Sequence, residues 1–324
     1  MPDASAMTAI LILLPFALLA GLAVWLHHLF EGEWLPHDLL REWHLSRRSL
    51  TELDAAWAAA PERSEIVITL TTTPSRIGLL KHTLRSLLDQ SRPPARIVLN
   101  VPGFSLREQL PYQIPPELHA LRALEIRRSE DLGPGTKLIP TLAAEAPDTP
   151  LLVLDDDRIY PKWLVACYEA MAARQPDYAL TMGGWVVPAD LTDRFTTIRS
   201  NLLMQPPAPI RAPRLKKPRE VDVMLGVFSY LVRPRFFDLA EISALEGPEA
   251  LRYVDDVRTS ALCCAPKFVI PAPSLSFVPW SKRRAFQSTR LGLFNRGMGG
   301  GTRHNTVAIQ HYADRWRVGG PKAP

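Results

Sequence analysis

A chain of 324 residues, 47% hydrophobic and 22% charged, is long enough for one large domain with an appendage, or for two domains, and can bury a sizeable core. A net charge of +5, without RNA-binding signatures or zinc-finger spacing, argues against a nucleic-acid binder and suits an anionic substrate or an anionic membrane surface. Only Cys167, Cys263 and Cys264 are present, which excludes a disulfide framework, and the 31 prolines predict a loop-rich protein.

From Thr8 to about Phe30 the chain is apolar and carries no formal charge. A helix rising 1.5 Å per residue crosses the hydrocarbon in roughly 20 residues, so residues 1–31 read as a transmembrane anchor, with a cleaved signal peptide as the rival. No Lys or Arg precedes the run, whereas Arg41, Arg47 and Arg48 follow it, which places the bulk of the chain on the cytoplasmic side of the cell membrane as a single-pass protein. Residues 32–60 alternate apolar and charged side chains, among them Trp34, Leu39, Leu40, Trp43, Leu53 and Trp57. That spacing predicts an amphipathic juxtamembrane helix, lying on the membrane or packed on the globular part.

A soluble α/β domain is expected over 61–281. Ile66 to Thr71 reads as a buried strand, TTTPSR (Thr71 to Arg76) as a loop, Ile77 to Gln90 as an amphipathic helix, and Arg96 to Val101 as a second strand, together a right-handed βαβ unit. The first turn has no glycine-rich phosphate loop. Leu124 to Arg127 predicts a third strand, followed by DLGPGTK (Asp131 to Lys137), whose Gly-Pro-Gly turn aims Lys137 at a definite place, and by a helix from Leu138 to Glu145. Then comes LLVLDDDRIYP, Leu151 to Pro161, a short apolar run ending in Asp155, Asp156 and Asp157. Open α/β sheets bind ligands at the carboxyl ends of their strands. In an extended chain Asp155 and Asp157 share one face and Asp156 points the other way, and two oxygen ligands on one face suit Mg2+ or Mn2+. A solvated acidic turn is the plainer alternative.

A helix is expected over Pro161 to Arg174 and a strand over Tyr178 to Gly184. QPPAPIRAPRLKKPR, Gln205 to Arg219, reads as a mobile basic loop. Val221 to Val232 returns to strand character, with Gly226 permitting close approach to its backbone. DDVRTS, Asp255 to Ser260, opens an amphipathic helix where carboxylates either cap or catalyse. Residues 282–324 form a basic C-terminal tail with a glycine-rich run at Gly297 to Gly301.

TTTPSR, DLGPGTK, DDDRIYP and DDVRTS, in that order over Glu65 to Pro271, resemble the family 2 type of glycosyltransferase of the GT-A fold. The resemblance implies a Rossmann-like mixed sheet flanked by helices, a nucleotide-sugar donor and a Mn2+ or Mg2+ ion. It places Thr71, Thr73 and Arg76 near the nucleoside and matches Asp155, Asp156 and Asp157 to the ribose and metal contacts, with Asp157 the direct metal ligand. Asp256 stands where inverting members carry the general base; the pair usually written Glu-Asp is here Asp255 and Asp256. Processive polysaccharide synthases carry Gln-x-x-Arg-Trp near the C-terminus, where this chain has Tyr312, Arg315 and Trp316, so a single transfer is implied. Lys137 would add positive charge beside the diphosphate or sugar. Cytoplasmic placement with an anchor suggests a lipid-linked or envelope-glycan acceptor. The alternatives are a membrane-tethered, metal-dependent nucleotidyl- or phosphotransferase and a non-enzymatic anchored binding protein. The transferase reading requires Asp157 and Asp256 to open onto one cavity.

Overall fold

The computed structural model describes residues 4–244, 246–287 and 303–321 of the chain. An eight-stranded mixed sheet forms its centre. In chain order the strands are β1 (Val67–Thr71), β2 (Arg96–Pro102), β3 (Leu124–Ser129), β4 (Leu151–Val153), β5 (Ala179–Thr181), β6 (Arg219–Val221), β7 (Tyr230–Val232) and β8 (Lys267–Val269). They lie side by side as β6-β8-β5-β7-β4-β1-β2-β3. The run β4-β1-β2-β3 is parallel, β7 is antiparallel to both of its neighbours, and β6 is antiparallel to β8.

The apolar strand sequences follow from burial on both faces. Ile68, Leu70, Ile97, Leu99 and Leu152 face one core, into which α3 (Leu50–Ala59), α4 (Lys81–Leu88) and α6 (Leu164–Arg174) send Leu53, Trp57, Leu84, Leu87 and Tyr168. The alternate residues Val67, Val98, Leu151 and Val153 face a second core with Ile139 and Leu142 of α5 (Ile139–Ala144) and Leu262 of α8 (Asp255–Leu262). The architecture is therefore the expected α/β one, a mixed sheet with helices on both sides, preceded by one long apolar helix, α1 (Ala4–Glu31). Its stretch Leu13–Glu31, 19 residues of mean hydropathy 1.8, is long and apolar enough to cross a bilayer.

The segment after α1 is two helices, α2 (Leu35–Ser46) and α3, because Ser49 breaks the run and caps α3 by accepting the Glu52 N–H at 3.0 Å. Both pack on the domain. Trp57 donates its indole N–H to Pro94 O, and the Asp54 carboxylate accepts the backbone N–H groups of Arg122 and Ala123. α2 buries Asp38, Arg41, Glu42 and Leu45, with Arg41 paired to Asp89 and Glu42 accepting the N–H groups of Trp280 and Ser281. Its outward face carries Leu39, Leu40 and Trp43. Packing thus continues through residue 60 without a break.

Three other expectations change. Gln205 to Arg219 is not a loose loop: Ile210–Arg211 pairs with Gly183–Trp185, and Ala208, Ile210 and Ala212 are buried, leaving Lys216 to Arg219 exposed. Val221 to Val232 is not one strand, since the chain turns at Gly226 between Val223–Met224 and β7. Beyond residue 282, α9 (His304–His311) buries Ala308 and Ile309 beside Val257 of α8, and Asp222 accepts the N–H groups of Arg317, Val318 and Gly319. That part of the C-terminal segment is packed, not a tail. Gly297 to Gly301 lies outside the described residues.

Candidate active site

Parallel pairing puts the carboxyl ends of β1 and β4 next to each other, with Thr69 level with Val153. The loop after β1 and the three aspartates after β4 therefore meet. The strand ends at Val153, so the aspartates lie in a turn and the alternation expected of an extended chain does not hold. Asp156 and Asp157 share one partner: Arg76 donates Nη1 to Asp156 Oδ1 at 2.8 Å and Nη2 to Asp157 Oδ2 at 3.2 Å. Thr72 donates its hydroxyl to Asp156 Oδ2 at 2.6 Å. Asp155 turns instead to Lys137, with Nζ to Oδ1 at 2.9 Å.

Lys137 joins the two ends of the site. Its Nζ lies 2.9 Å from Asp255 Oδ2 and 3.9 Å from Asp256 Oδ1, and the residue is 6% exposed. Burial alone would depress its ammonium, but Asp155, Asp255 and Asp256 hold its pKa well above the ordinary lysine range. A buried polar bed fixes the backbone beneath it. Thr69 donates its hydroxyl to Lys137 O at 2.6 Å, Thr69 and Thr141 share a hydrogen bond at 2.8 Å, and Asn100 Nδ2 donates to Thr141 Oγ1 at 2.9 Å. Gly133, at φ +62°, makes the turn that delivers the lysine.

Asp255 and Asp256 open α8, yet neither caps it, for the N-cap position is Val254 and no side chain serves it. Asp256 Oδ1 accepts the Gly226 N–H at 3.0 Å. A Cβ on Gly226 would fall 2.5 Å from Lys137 Nζ and 2.8 Å from Asp256 Oδ1, so the group approaching this glycine is the charged pair itself. Burial and the neighbouring Asp255 push the Asp256 carboxyl up to about 8, against the pull of Lys137. Burial likewise raises Asp156 to about 6 despite Arg76. Asp155, half-buried, is held below the usual carboxylate range by Lys137 against the cost of desolvation.

These groups line one cavity of about 880 Å3, within the range of ordinary ligand sites. All nine residues expected to hold donor or metal or to act as base border it: Thr71, Thr73, Arg76, Lys137, Asp155, Asp156, Asp157, Asp255 and Asp256. Thr71, however, donates its hydroxyl to Asn100 O at 2.8 Å, and Thr73 pairs with Ser75 at 3.2 Å. Tyr312, Arg315 and Trp316 do not border it; Arg315 pairs with Glu241, and Trp316 donates its indole N–H to Ile309 O.

Sequence reading missed Thr72, which sits between two chosen threonines, and Arg158, which directly follows the aspartates. It also missed His27, Glu31 and Glu33, which bring the end of α1 to the cavity wall. Their only signal is a charged cluster closing an apolar run. Among the described residues no group of three or more His, Cys, Asp or Glu side chains converges as a ready-made metal site. The three aspartates divide between two basic partners, Asp155 on Lys137 and Asp156 with Asp157 on Arg76.

No family model matches the chain, and no curated protein matches it. Among solved structures it is similar to a TarS fragment from S. aureus, at 12% identity and TM-score 0.41 over 78% of this chain and 70% of that one. The same fragment in complex with UDP gives 14% and 0.40 over 78% and 70%. A mannosyltransferase from Pyrobaculum calidifontis in complex with GDP-Man and Mn2+ gives 14% and 0.42 over 86% and 76%. Likenesses this distant carry no chemistry across, and the functional reading rests on the site.

Proposed function

We propose that this chain is a membrane-anchored, metal-dependent glycosyltransferase of GT-A type, which moves a sugar from a nucleotide-sugar donor to an acceptor hydroxyl with inversion. One observation carries the reading: Asp155, Asp156 and Asp157 meet Asp255 and Asp256 across Lys137 in a single cavity, although the two groups lie far apart in sequence. A non-enzymatic binding protein has no use for that convergence. The loop after β1 presents a guanidinium, not a glycine-rich helix start, which speaks against a nucleotidyl- or phosphotransferase.

Asp256 is the general base. Asp255 is taken up by Lys137 at 2.9 Å, whereas Asp256 is steadied through one oxygen by Gly226 and has its other oxygen for the acceptor. The acceptor oxygen attacks the anomeric carbon, the bond from that carbon to the diphosphate oxygen breaks, and its electron pair leaves with the nucleoside diphosphate. Asp256 takes the hydroxyl proton. Arg76 and Thr72 orient Asp156 and Asp157 toward the donor, and Lys137 keeps Asp155 ionised beside the reacting sugar.

A hard cation fits here in one way. Asp155 and Asp157 each use one carboxylate oxygen on a basic side chain, leaving the other, and one or two carboxylates suffice when phosphate oxygens complete the shell. Bound with the donor, Mg2+ or Mn2+ supplies positive charge to the departing diphosphate. α1 serves as a single-pass anchor with the catalytic domain cytoplasmic, and the acceptor is lipid-linked or an envelope glycan. The position of Tyr312, Arg315 and Trp316 outside the cavity supports one transfer per encounter.

The test is thermal stabilisation of the full chain by a panel of nucleotide sugars, with and without Mn2+, followed by transfer assays on Asp256→Asn. A nucleotide sugar should stabilise both proteins and be turned over only by the unaltered one. Stabilisation by nucleoside triphosphates alone would overturn the reading.

A further inference from the structure

The end of α1 is built into the cavity. His27 and Glu31 of its last turns and Glu33 just beyond border the same space as Asp255 and Asp256. The junction is fastened at several points. Glu33 pairs with His27 at 3.1 Å and with Arg158 Nη1 at 3.3 Å, so the residue after Asp157 grips the base of the apolar helix. Arg158 also donates to Ser276 O at 2.9 Å, and Gly32 O accepts the Leu275 N–H at 2.9 Å. A helix held this firmly has a fixed position relative to the carboxylates.

The surface around the junction is inverted. α2 turns its polar side inward and shows Trp34, just before it, with Leu39, Leu40 and Trp43 outward, at 41%, 51%, 66% and 54% exposure. Across the junction, Pro213 lies against Gly32, and Arg214 donates to the carbonyls of Asn201 and Leu202 in α7 (Ile198–Leu203), whose Ile198, Leu202 and Leu203 are also exposed. Exposed Trp34, Leu39, Leu40 and Trp43 on one side and Ile198, Leu202 and Leu203 on the other, with Lys216 and Lys217 exposed beyond, flank the foot of the apolar span. The chemistry of this surface is that of the bilayer interface.

We propose that the acceptor is a membrane-resident amphiphile, with its apolar tail in the bilayer beside α1 and a hydroxyl-bearing head entering the cavity past His27 and Glu31 to reach Asp256. This deepens, and rests on, the transferase reading. The wall along this route carries the Glu31 carboxylate, which can accept hydrogen bonds from sugar hydroxyls, beside Glu33, whose two oxygens are held by His27 and Arg158. The geometry therefore selects a bilayer-held substrate over a freely diffusing glycan.

Two measurements on the full chain in phosphatidylcholine vesicles decide it. A fluorophore at a cysteine replacing Leu40 should be quenched by spin-labelled phosphatidylcholine, and one replacing Leu106, an exposed residue of the cavity rim in the domain itself, should not. An unquenched Leu40 probe overturns the proposal whatever the activity. With a donor that stabilises the protein, and membranes of the expression host as acceptor, labelled sugar should pass into the organic-extractable fraction. Glu31→Ala should cut that transfer about tenfold while leaving stabilisation by the nucleoside diphosphate unchanged. Label only in water-soluble product, or undiminished transfer by Glu31→Ala, refutes the route. Absence of any donor stabilisation counts against the transferase reading instead, and the quenching result still stands on its own.

Discussion

Gly226→Ala probes the catalytic pair with the least disturbance elsewhere. Gly226 has no left-handed backbone angle to lose, so an alanine is free of torsional strain there, and its N–H to Asp256 is retained. What the added methyl meets is Lys137 Nζ at 2.5 Å and Asp256 Oδ1 at 2.8 Å, where real contacts lie near 3.4 Å. The ammonium must retreat by about 1 Å, and overpacking of this kind costs about 1–3 kcal/mol. Lys137 cannot retreat without lengthening contacts to Asp155 and Asp255 that both stand at 2.9 Å. Displacing a positioned group by about 1 Å lowers turnover about a hundredfold. Transfer should therefore fall by that order in Gly226→Ala, while the melting temperature drops by only a few degrees and the nucleoside diphosphate still stabilises the protein. Single-turnover transfer beside a thermal-shift titration reads both. Unchanged turnover would show that Lys137 and Asp256 need not hold this arrangement for the reaction.

The pH profile follows from Asp256. A base whose folded pKa is raised to about 8 is protonated and inert below that value, so the transfer rate should climb with pH and level off above about 8. A profile already flat at pH 6 would move the base elsewhere. Asp157→Ala should abolish the extra stabilisation that Mn2+ gives to the donor complex while the metal-free melting temperature stays within a few degrees of the parent; an intact Mn2+ effect would remove Asp157 from the cation. Asp38 is buried in α2, with burial first and Glu33 second pushing its carboxyl up to about 8. Folding takes up a proton there, so its share of stability is present below the unfolded carboxylate value near 4 and is lost as pH rises toward 8. Asp38→Asn should remove that loss, raising the melting temperature at pH 8.5 and changing it little at pH 4. Thr69→Val removes the hydroxyl that holds Lys137 O and should cost about 1–3 kcal/mol, measured by denaturant unfolding.

Much of the fold was legible because parallel strands buried on both faces write themselves as short apolar runs. Ile66 to Thr71, Arg96 to Val101 and Leu151 to Val153 needed only that rule. The site was legible where charge sits at a strand end or helix start, as at Asp155 to Asp157 and Asp255 to Asp256. Side-chain direction was not. Alternation fails one residue past a strand, so the sharing of Arg76 by Asp156 and Asp157 could not be read from spacing. α2 is amphipathic with an orientation that spacing could not give: apart from Leu45, its inner face is held by ion pairs and carboxylates, and Leu39, Leu40 and Trp43 point out. Thr69 and Asn100, polar residues inside apolar strands, look like imperfections until the Lys137 carbonyl is placed above them.

Asp222 has a consequence for anyone shortening this chain. Its buried carboxylate gathers three N–H groups from Arg317, Val318 and Gly319 and a fourth from Val187, buckling residues 317–319 to the strand region in front of α8. Cut the chain before Arg303, and the buckle opens: a buried carboxyl group loses three of its four donors, and Val257, the residue after Asp256, loses the cover of Ile309. A truncation that spares every acidic group in the cavity would still disarm it from behind.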